Sequence, residues 1–386
     1  MPPTMNAYDA VALFSGGLDS LLAIRLIEAQ GLKVKCLHFT SPFFGKAPQA
    51  PYWQDRFGLD IDTVDVGDGM ARLLAQGPAY GFGRALNPCV DCKILMLREA
   101  KARMQNYGAR CIISGEVLGQ RPMSQRRDTL HVILRDAGVK DLLVRPLSAR
   151  LLPESAAELC GLIDREQLCG IWGRGRKEQL ALAARFALPE IPPPAGGCRL
   201  TERENARRYW PVLVHAPSPD AAEFRLADCG RQFWSDAGEG PYWLCVGRQQ
   251  SDNEQLMRNA FPGDALFKLT AFPGPLAVGR QFGGRPWPED ALRDAASFMA
   301  SFSPKAARHQ GAVQVRVSLE GHALELGVLP ARLTPRAWGE RSWDAVREDL
   351  RAAARERLQK AKSRQTAPTA ENTRVDPLAE SGGTLL

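Results

Sequence analysis

The first 190 residues alternate short apolar runs with segments whose apolar residues recur every three or four positions. "YDAVALFS" (8–15) is an apolar run ending in a glycine turn, and "LDSLLAIRLIEAQG" (18–31) carries a helical stripe closed by Gly31. "KVKCLHFT" (33–40), "LDIDTVDVG" (59–67), "ARCIISGE" (109–116) and "KDLLVRPL" (140–147) read as further strands, and the second of these alternates with period two. The polar segment 119–130 separates the last two. This order predicts an α/β fold, a Rossmann-like parallel sheet covered by helices, with working residues at the carboxyl ends of the strands. Helical patterning is expected through 154–186, ending before "PEIPPPAGG" (189–197), where neither a helix nor a central strand can continue.

Beyond that punctuation the pattern changes. "PYWLCVGR" (241–248), "DALFKLTAF" (264–272) and "PLAVGRQF" (275–282) read as strands joined by turns, and "GAVQVRVSLEG" with "HALELGVL" (311–329) as a hairpin. Two Phe-Pro-Gly triplets, at 261–263 and 272–274, are turn chemistry rather than a repeat. Residues 342–362 form a charged helical pattern, followed by a polar tail expected to be disordered. The expected organisation is a nucleotide-type domain over 1–188, a Pro/Gly-rich connection over 189–205, an α+β or β-rich domain over 206–362 and a tail over 363–386.

A 386-residue chain with 45% hydrophobic residues buries a sizeable core, which excludes global disorder. Its formal net charge of +7 suits a polyanionic partner, without requiring one. No run reaches the length of a membrane-spanning helix and no basic-then-apolar leader opens the chain, so a cytoplasmic enzyme with no membrane association is expected. In that setting nine scattered cysteines are free, structural or metal-binding rather than a disulfide framework.

Phe14-Ser15-Gly16-Gly17-Leu18-Asp19-Ser20 lies between the first strand and the first helix. Paired glycines let the backbone turn tightly toward an anion, the helix start offers N–H groups, and Ser15 and Ser20 add hydroxyls. Asp19 would repel that anion unless a cation lay between them, which assigns it to Mg2+. No lysine completes a Gly-x-x-x-x-Gly-Lys loop. The alternative is an ordinary strand–turn–helix junction.

This "SGGLDS" resembles the PP-loop of the ATP pyrophosphatases, which cleave ATP between the α and β phosphates and adenylate a carbonyl-type oxygen. A second block, "GEVLGQRPMSQ" (115–125), followed by "LLVRPLSA" (142–149), resembles the corresponding segments of ThiI-type tRNA 4-thiouridine synthases. The resemblance covers about 8–190. It implies that Ser15, Gly16, Gly17, Asp19 and Ser20 hold ATP with Mg2+, and that Gly115, Gln120, Arg121, Ser124 and Gln125 line the nucleotide and acceptor pocket. Two departures stand out: only about seven residues precede the first strand, where those synthases carry RNA-binding domains, and Ala149-Arg150 replaces their Asp-Lys pair. Any surface gripping tRNA is therefore expected downstream, where 241–282 faintly resembles the RNA-associated domain of ribosome quality-control proteins. A β-rich dimerisation domain, which would make the protein a homodimer, or a substrate-capping domain is the alternative for that half.

"NPCVDCK" (87–93) opens a helical run, a position that favours thiolate over thiol. With Cys198 of "PPAGGCRLT", Cys89 and Cys92 make three thiolates, one short of a tetrahedral zinc set, whereas an iron–sulfur cube accepts three and leaves one iron open. The alternatives are a persulfide on one cysteine resolved by another, structural zinc, or inert thiols. tRNA thiolation enzymes with a Cys-x-x-Cys pair plus one distant cysteine resemble the [4Fe–4S] users. Cys36 and Cys111 read as core, Cys160 and Cys169 match no ligand triad, and Cys229 with Cys245 are candidates for pairing or coordination. His38, ending a strand near the pocket, is a candidate nucleotide contact or a packed histidine. Trp172, beside Arg174, Arg176 and Lys177, is a base-stacking candidate or a solvated basic turn.

The implied chemistry is ATP-dependent tRNA sulfurtransfer with AMP and pyrophosphate as products, fed by a sulfide or persulfide carrier. A PP-loop enzyme that sulfurates or amidates a metabolite is the alternative, and a degenerate RNA-binding factor is the non-enzyme reading.

Overall fold

The computed structural model describes residues 8–193, 197–238, 240–283 and 286–366. Residues 8–346 form one compact unit and 347–366 belong to a second. The first unit opens with five parallel strands: β1 (Ala10–Leu13), β2 (Val34–Thr40), β3 (Asp60–Asp65), β4 (Cys111–Ser114) and β5 (Leu143–Val144), in the order β3-β2-β1-β4-β5. Every residue of β1 is buried, because it is the central strand and helices cover both faces. At the edge, β3 buries Ile61 and Val64 and exposes Asp60, Thr63 and Asp65, so its burial does not follow the period-two alternation expected from the sequence. The helix Leu18–Glu28 packs Leu21, Leu22, Ile24 and Ile27 into the core beside Cys36 and Cys111, which are buried as expected.

Strand order reverses between β1 and β4. At such a switch point the connections leave in opposite directions and open a crevice beyond the carboxyl ends of the strands. The segments following β1 and β4, which carry "SGGLDS" and "GEVLGQ", both emerge there.

One expectation for this half needs correction. The 154–186 stretch is not continuously helical: it holds Ala156–Leu159, a 3-10 turn at Arg165–Gln167 and Lys177–Arg185, with irregular chain around Gly170, Gly173 and Gly175 between them. Those glycines remove helix propensity from the middle of an otherwise helical pattern.

The second sheet is antiparallel, with β6 (Arg231–Ser235), β7 (Tyr242–Val246), β8 (Ala265–Leu269), β9 (Leu276–Gln281), β10 (Val313–Leu319) and β11 (His322–Val328) in the order β11-β10-β8-β9-β7-β6. The helix Glu289–Ala300 covers it, burying Leu292, Ala295, Phe298 and Met299 against Phe267 and Val315. β6 escapes a reading of the sequence because polar residues on it are buried. Gln232 accepts from Trp243 Nε1 at 2.8 Å and from the Cys245 thiol at 3.1 Å, and Ser235 donates to the Arg336 carbonyl at 2.6 Å. The Cys229 thiol instead donates to the Arg225 carbonyl at 3.2 Å, so the two cysteines are neither paired nor turned to a shared ligand.

Phe43, just after β2, is fully buried edge-on to Tyr209 and Phe224, with ring centroids 5.3 and 4.9 Å away. Asp68 accepts from the Ala221 N–H at 3.0 Å, and Arg225 pairs with Asp65 at 3.0 Å. The helices Arg203–His215 and Ala221–Ala227 thereby bind to the parallel sheet rather than only to the antiparallel one. The helix Trp343–Thr366 runs into the second unit, so helix extends past the expected start of the tail at 363, and 367–386 lie outside the described residues. Among the described residues no helix is long and apolar enough to cross a membrane.

Candidate active site at the switch point

Gly17 caps the helix Leu18–Glu28 with no side-chain hydrogen bond, so the first N–H groups of the helix remain available to a ligand. The serines shape the loop that leads there. Ser20 Oγ donates to the Gly17 carbonyl at 2.8 Å, accepts from the Ser15 N–H at 3.3 Å and lies 3.2 Å from Ser15 Oγ. Gly16 sits at φ +78°, where a Cβ would also meet the Trp53 ring at 2.4 Å, so both conformation and space demand glycine.

The second motif packs directly on the first. A Cβ at Gly115 would lie 2.6 Å from the backbone of Asp19 and Ser20, and Gln120 Nε2 donates to Asp19 Oδ2 at 3.1 Å. Asp19 Oδ1 is buried with no partner, the donor-poor setting in which a carboxylate oxygen accepts a cation. The loop closes on itself through Gly119 N–H to the Gln125 carbonyl (2.7 Å) and Gln125 N–H to the Arg121 carbonyl (3.1 Å). Ser124 and Gln125 are buried in it, with Gln125 Oε1 unpartnered, whereas Arg121 is exposed.

Beside these motifs a cavity of about 660 Å³, the size of a nucleotide site, is lined by Ser15, Gly16, Phe44, Lys46, Trp53 and Arg199. His38 shapes its wall without entering it. Its Nδ1 bonds the Phe14 carbonyl at 2.9 Å and its Nε2 accepts from the Lys46 N–H at 2.9 Å, which requires the neutral ring with its proton on Nδ1. Burial lowers its pKa and keeps it neutral. Both nitrogens are taken, which corrects the expectation of a nucleotide contact: His38 is the packed histidine of the two readings.

Cys89 and Cys92 are the first and fourth residues of the helix Cys89–Met104. Asn87 Nδ2 donates to the Cys89 sulfur at 3.2 Å and approaches Met123 Sδ at 3.5 Å, linking this turn to the acceptor loop. The Leu86 N–H donates to the Leu200 carbonyl at 3.0 Å and the Arg199 N–H to the Phe43 carbonyl at 2.9 Å, tying the Cys198 segment to both. Pro194, Ala195 and Gly196 lie outside the described residues. The three sulfurs are close enough to act on one another electrostatically: Cys198 and Cys89 both oppose ionisation of Cys92, and Cys89 opposes that of Cys198. Burial pushes the Cys92 thiol far up and Cys198 up to about 11, with Arg121 and the Leu200 N–H pulling the latter the other way. At Cys92 burial therefore outweighs the helix start that was expected to favour thiolate. Among the described residues no three His, Cys, Asp or Glu side chains stand at the spacing of a single metal ion.

Beneath the crevice lies a charge cluster that the sequence does not reveal. Glu116 is buried, with Arg145 at 3.0 Å and Lys93, next to Cys92, at 3.7 Å. Burial works against its charge, but Lys93 and Arg145 outweigh it and hold its pKa below the ordinary glutamate range. A carboxylate depressed in the fold contributes stability above its unfolded value and loses it as pH falls through the folded one. Thermal unfolding midpoints should therefore drop on acidification through and below the ordinary glutamate range, and Glu116→Gln should flatten that part of the profile. An unchanged profile in the variant would contradict this assignment.

No model of a known protein family matches the chain. A segment of 92 residues is 36% identical to the tRNA-specific 2-thiouridylase MnmA of Nitratidesulfovibrio vulgaris (strain DP4), covering 22% of this chain and 26% of that protein. Over 153 residues it is 29% identical to the tRNA sulfurtransferase of Photorhabdus laumondii, covering 38% of this chain and 30% of the relative. Over these segments the chain shows weak homology to tRNA sulfurtransferases. It spans less than a third of the length of either relative. Among solved structures it is similar to NMN synthetase from Francisella tularensis, with 16% identity and a TM-score of 0.31 over 48% of this chain and 63% of that one. Gly115 and Gln120 both pack on Asp19 of the Ser15–Ser20 loop, and Asn87 stands between the Cys89 sulfur and Met123.

Proposed function

We propose that this chain is an ATP-dependent tRNA sulfurtransferase. The observation that carries the reading is the continuity of the site, from the SGGLDS loop through Gln120 on Asp19 to the Met123 side of the following loop, where Asn87 joins it to Cys89. ATP lies with its phosphates on the Ser15–Ser20 loop and the helix start, and Asp19 Oδ1 takes Mg2+. A nucleobase carbonyl oxygen attacks the α phosphorus, the bond to the β-bridging oxygen breaks, and pyrophosphate leaves. Helix N–H groups meet the charge that develops there. Sulfur then attacks the base carbon, the C–O bond breaks, and AMP departs. Arg121, exposed above the thiols, and Gln120 orient the acceptor.

With sulfide as donor the second step needs no electrons. Cys89, Cys92 and Cys198 match a [4Fe–4S] cluster in number and softness, and its iron without a protein ligand would supply a position for sulfide. The persulfide reading needs only two of these thiols and no metal. There the terminal sulfur of a persulfidated cysteine attacks the base, and a second cysteine displaces the product by forming a disulfide. That route consumes one equivalent of a dithiol reductant per turnover.

Mass spectrometry of tRNA nucleosides from a deletion strain tests the function: one thiolated base should disappear and return with the intact gene. An unchanged nucleoside profile, with ATP cleavage retained, would move the assignment to a small metabolite. Anaerobically purified protein holding about four irons, with broad visible absorption, supports the cluster, whereas iron-free protein that still transfers sulfur supports the persulfide.

A further inference from the structure

Trp172 is 68% exposed, yet its position is fixed from three sides. Its backbone bridges to Leu118, the next residue Gly173 donates its N–H to the Leu118 carbonyl at 2.8 Å, and buried Ser148 joins both strands by accepting from the Leu118 N–H at 2.9 Å and donating to the Ile171 carbonyl at 2.7 Å. The indole lies over Gly119, where a Cβ would meet Nε1 at 2.9 Å. A large ring carried on the surface by a pinned backbone forgoes the burial that usually places tryptophan.

Beside it opens a cleft of about 540 Å³ lined by Leu118, Gly119, Arg126, Arg127, Leu151 and Trp172 among others, with two cations and no carboxylate. Arg174, Arg176 and Lys177 follow in the chain and make no ion pair among the described residues, while Asp128 sits 3.4 Å from Arg126 in an exposed pair and Glu178 is exposed. Gly119 leads directly into Gln120 and Arg121, so the cleft abuts the acceptor side of the active site. Every base has a face that stacks on an indole, and guanidinium groups take the adjoining phosphates.

The geometry points to the Trp172 cleft as the binding place of an unpaired nucleotide next to the one modified, its base on the indole and its phosphate on Arg126 and the Arg174–Lys177 turn. This rests on the reading that the substrate is RNA. It puts an RNA contact on the parallel-sheet half of the chain, in addition to any on the half where it was expected.

The test is equilibrium binding of bulk tRNA by the full chain and by W172A, W172F and the double variant R174A/R176A. W172A should weaken binding about tenfold and W172F by less, since a phenyl ring still stacks. R174A/R176A should weaken binding and flatten the dependence of log K on log salt by about one to two. Thermal unfolding identical to the parent shows that W172A is folded, as expected for an exposed side chain, and W172F carries the test should W172A be unstable. If the parent binds and W172A binds equally well, the stacking site is wrong and the RNA reading stands. If the parent does not bind bulk tRNA, the RNA reading fails and takes this proposal with it.

Discussion

Gly115→Ala should lower ATP-dependent turnover by about a hundredfold or more. The three nearest atoms to the new methyl are the Asp19 carbonyl carbon and oxygen and the Ser20 Cα, all at 2.6 Å and all backbone. Backbone in the first turn of a packed helix cannot swing aside as a side chain would, so the loop after β4 must withdraw from the helix Leu18–Glu28. Displacement by about an ångström is enough to cost two orders of magnitude in rate when reacting groups are held for in-line attack. The strain should cost about 1–3 kcal/mol of stability. Pyrophosphate release, ATP affinity and thermal unfolding read the three effects. Gly263, where a methyl would meet nothing within 4 Å and the backbone is not left-handed, is the matched control. Parental turnover in Gly115→Ala would show that the two motifs do not depend on their contact.

Cys198→Ala should abolish formation of the thiolated nucleoside without a matching loss of ATP affinity. The residue lies on a separate segment from the Ser15–Ser20 loop and acts electrostatically on Cys92, so on the proposed sulfurtransferase reading its sulfur serves the second half-reaction. Single alanine variants at Cys89, Cys92 and Cys198 separate the two routes. A cluster with three protein thiolates fails with any one removed and loses its iron, whereas a persulfide with one resolving partner tolerates the loss of the third. Cys169, partly buried against the hydrophobic core away from this triad, should be replaceable with alanine at little cost to activity. Retained sulfur transfer in Cys198→Ala would remove that residue from the site.

The centre of the parallel sheet was legible because β1 and β4 are buried along their whole length and read as short apolar runs leading into glycine. The loop residues Ser15 to Ser20 were legible for a related reason: glycine pairs and a helix start leave a local signature. Contacts made across the chain leave none. Glu116 and Arg145 meet from 29 residues apart, and each alone reads as one more surface charge. Trp53 abuts the Gly16 turn from the helix Ala50–Phe57, whose "APYWQDRF" shows no apolar stripe long enough to mark its inner face. His38 could be placed by sequence but not assigned, because its role depends on the Lys46 N–H that the following loop brings back to it. In β6, burial of Gln232 and Ser235 erased the alternation on which strand reading depends.

The position of Phe43 governs how the protein can be taken apart. A fragment ending at 188 would keep both nucleotide motifs and the whole parallel sheet, yet it would strip Phe43 of Tyr209 and Phe224 and leave the Leu86 N–H without the Leu200 carbonyl. It would also lack Cys198. The uncovered phenyl ring would lie on the loop that lines the nucleotide cleft, a sticky surface at the mouth of the site. Autonomy of the sheet and autonomy of the catalyst are thus separate properties here, and limited proteolysis in the 189–205 connection should separate them.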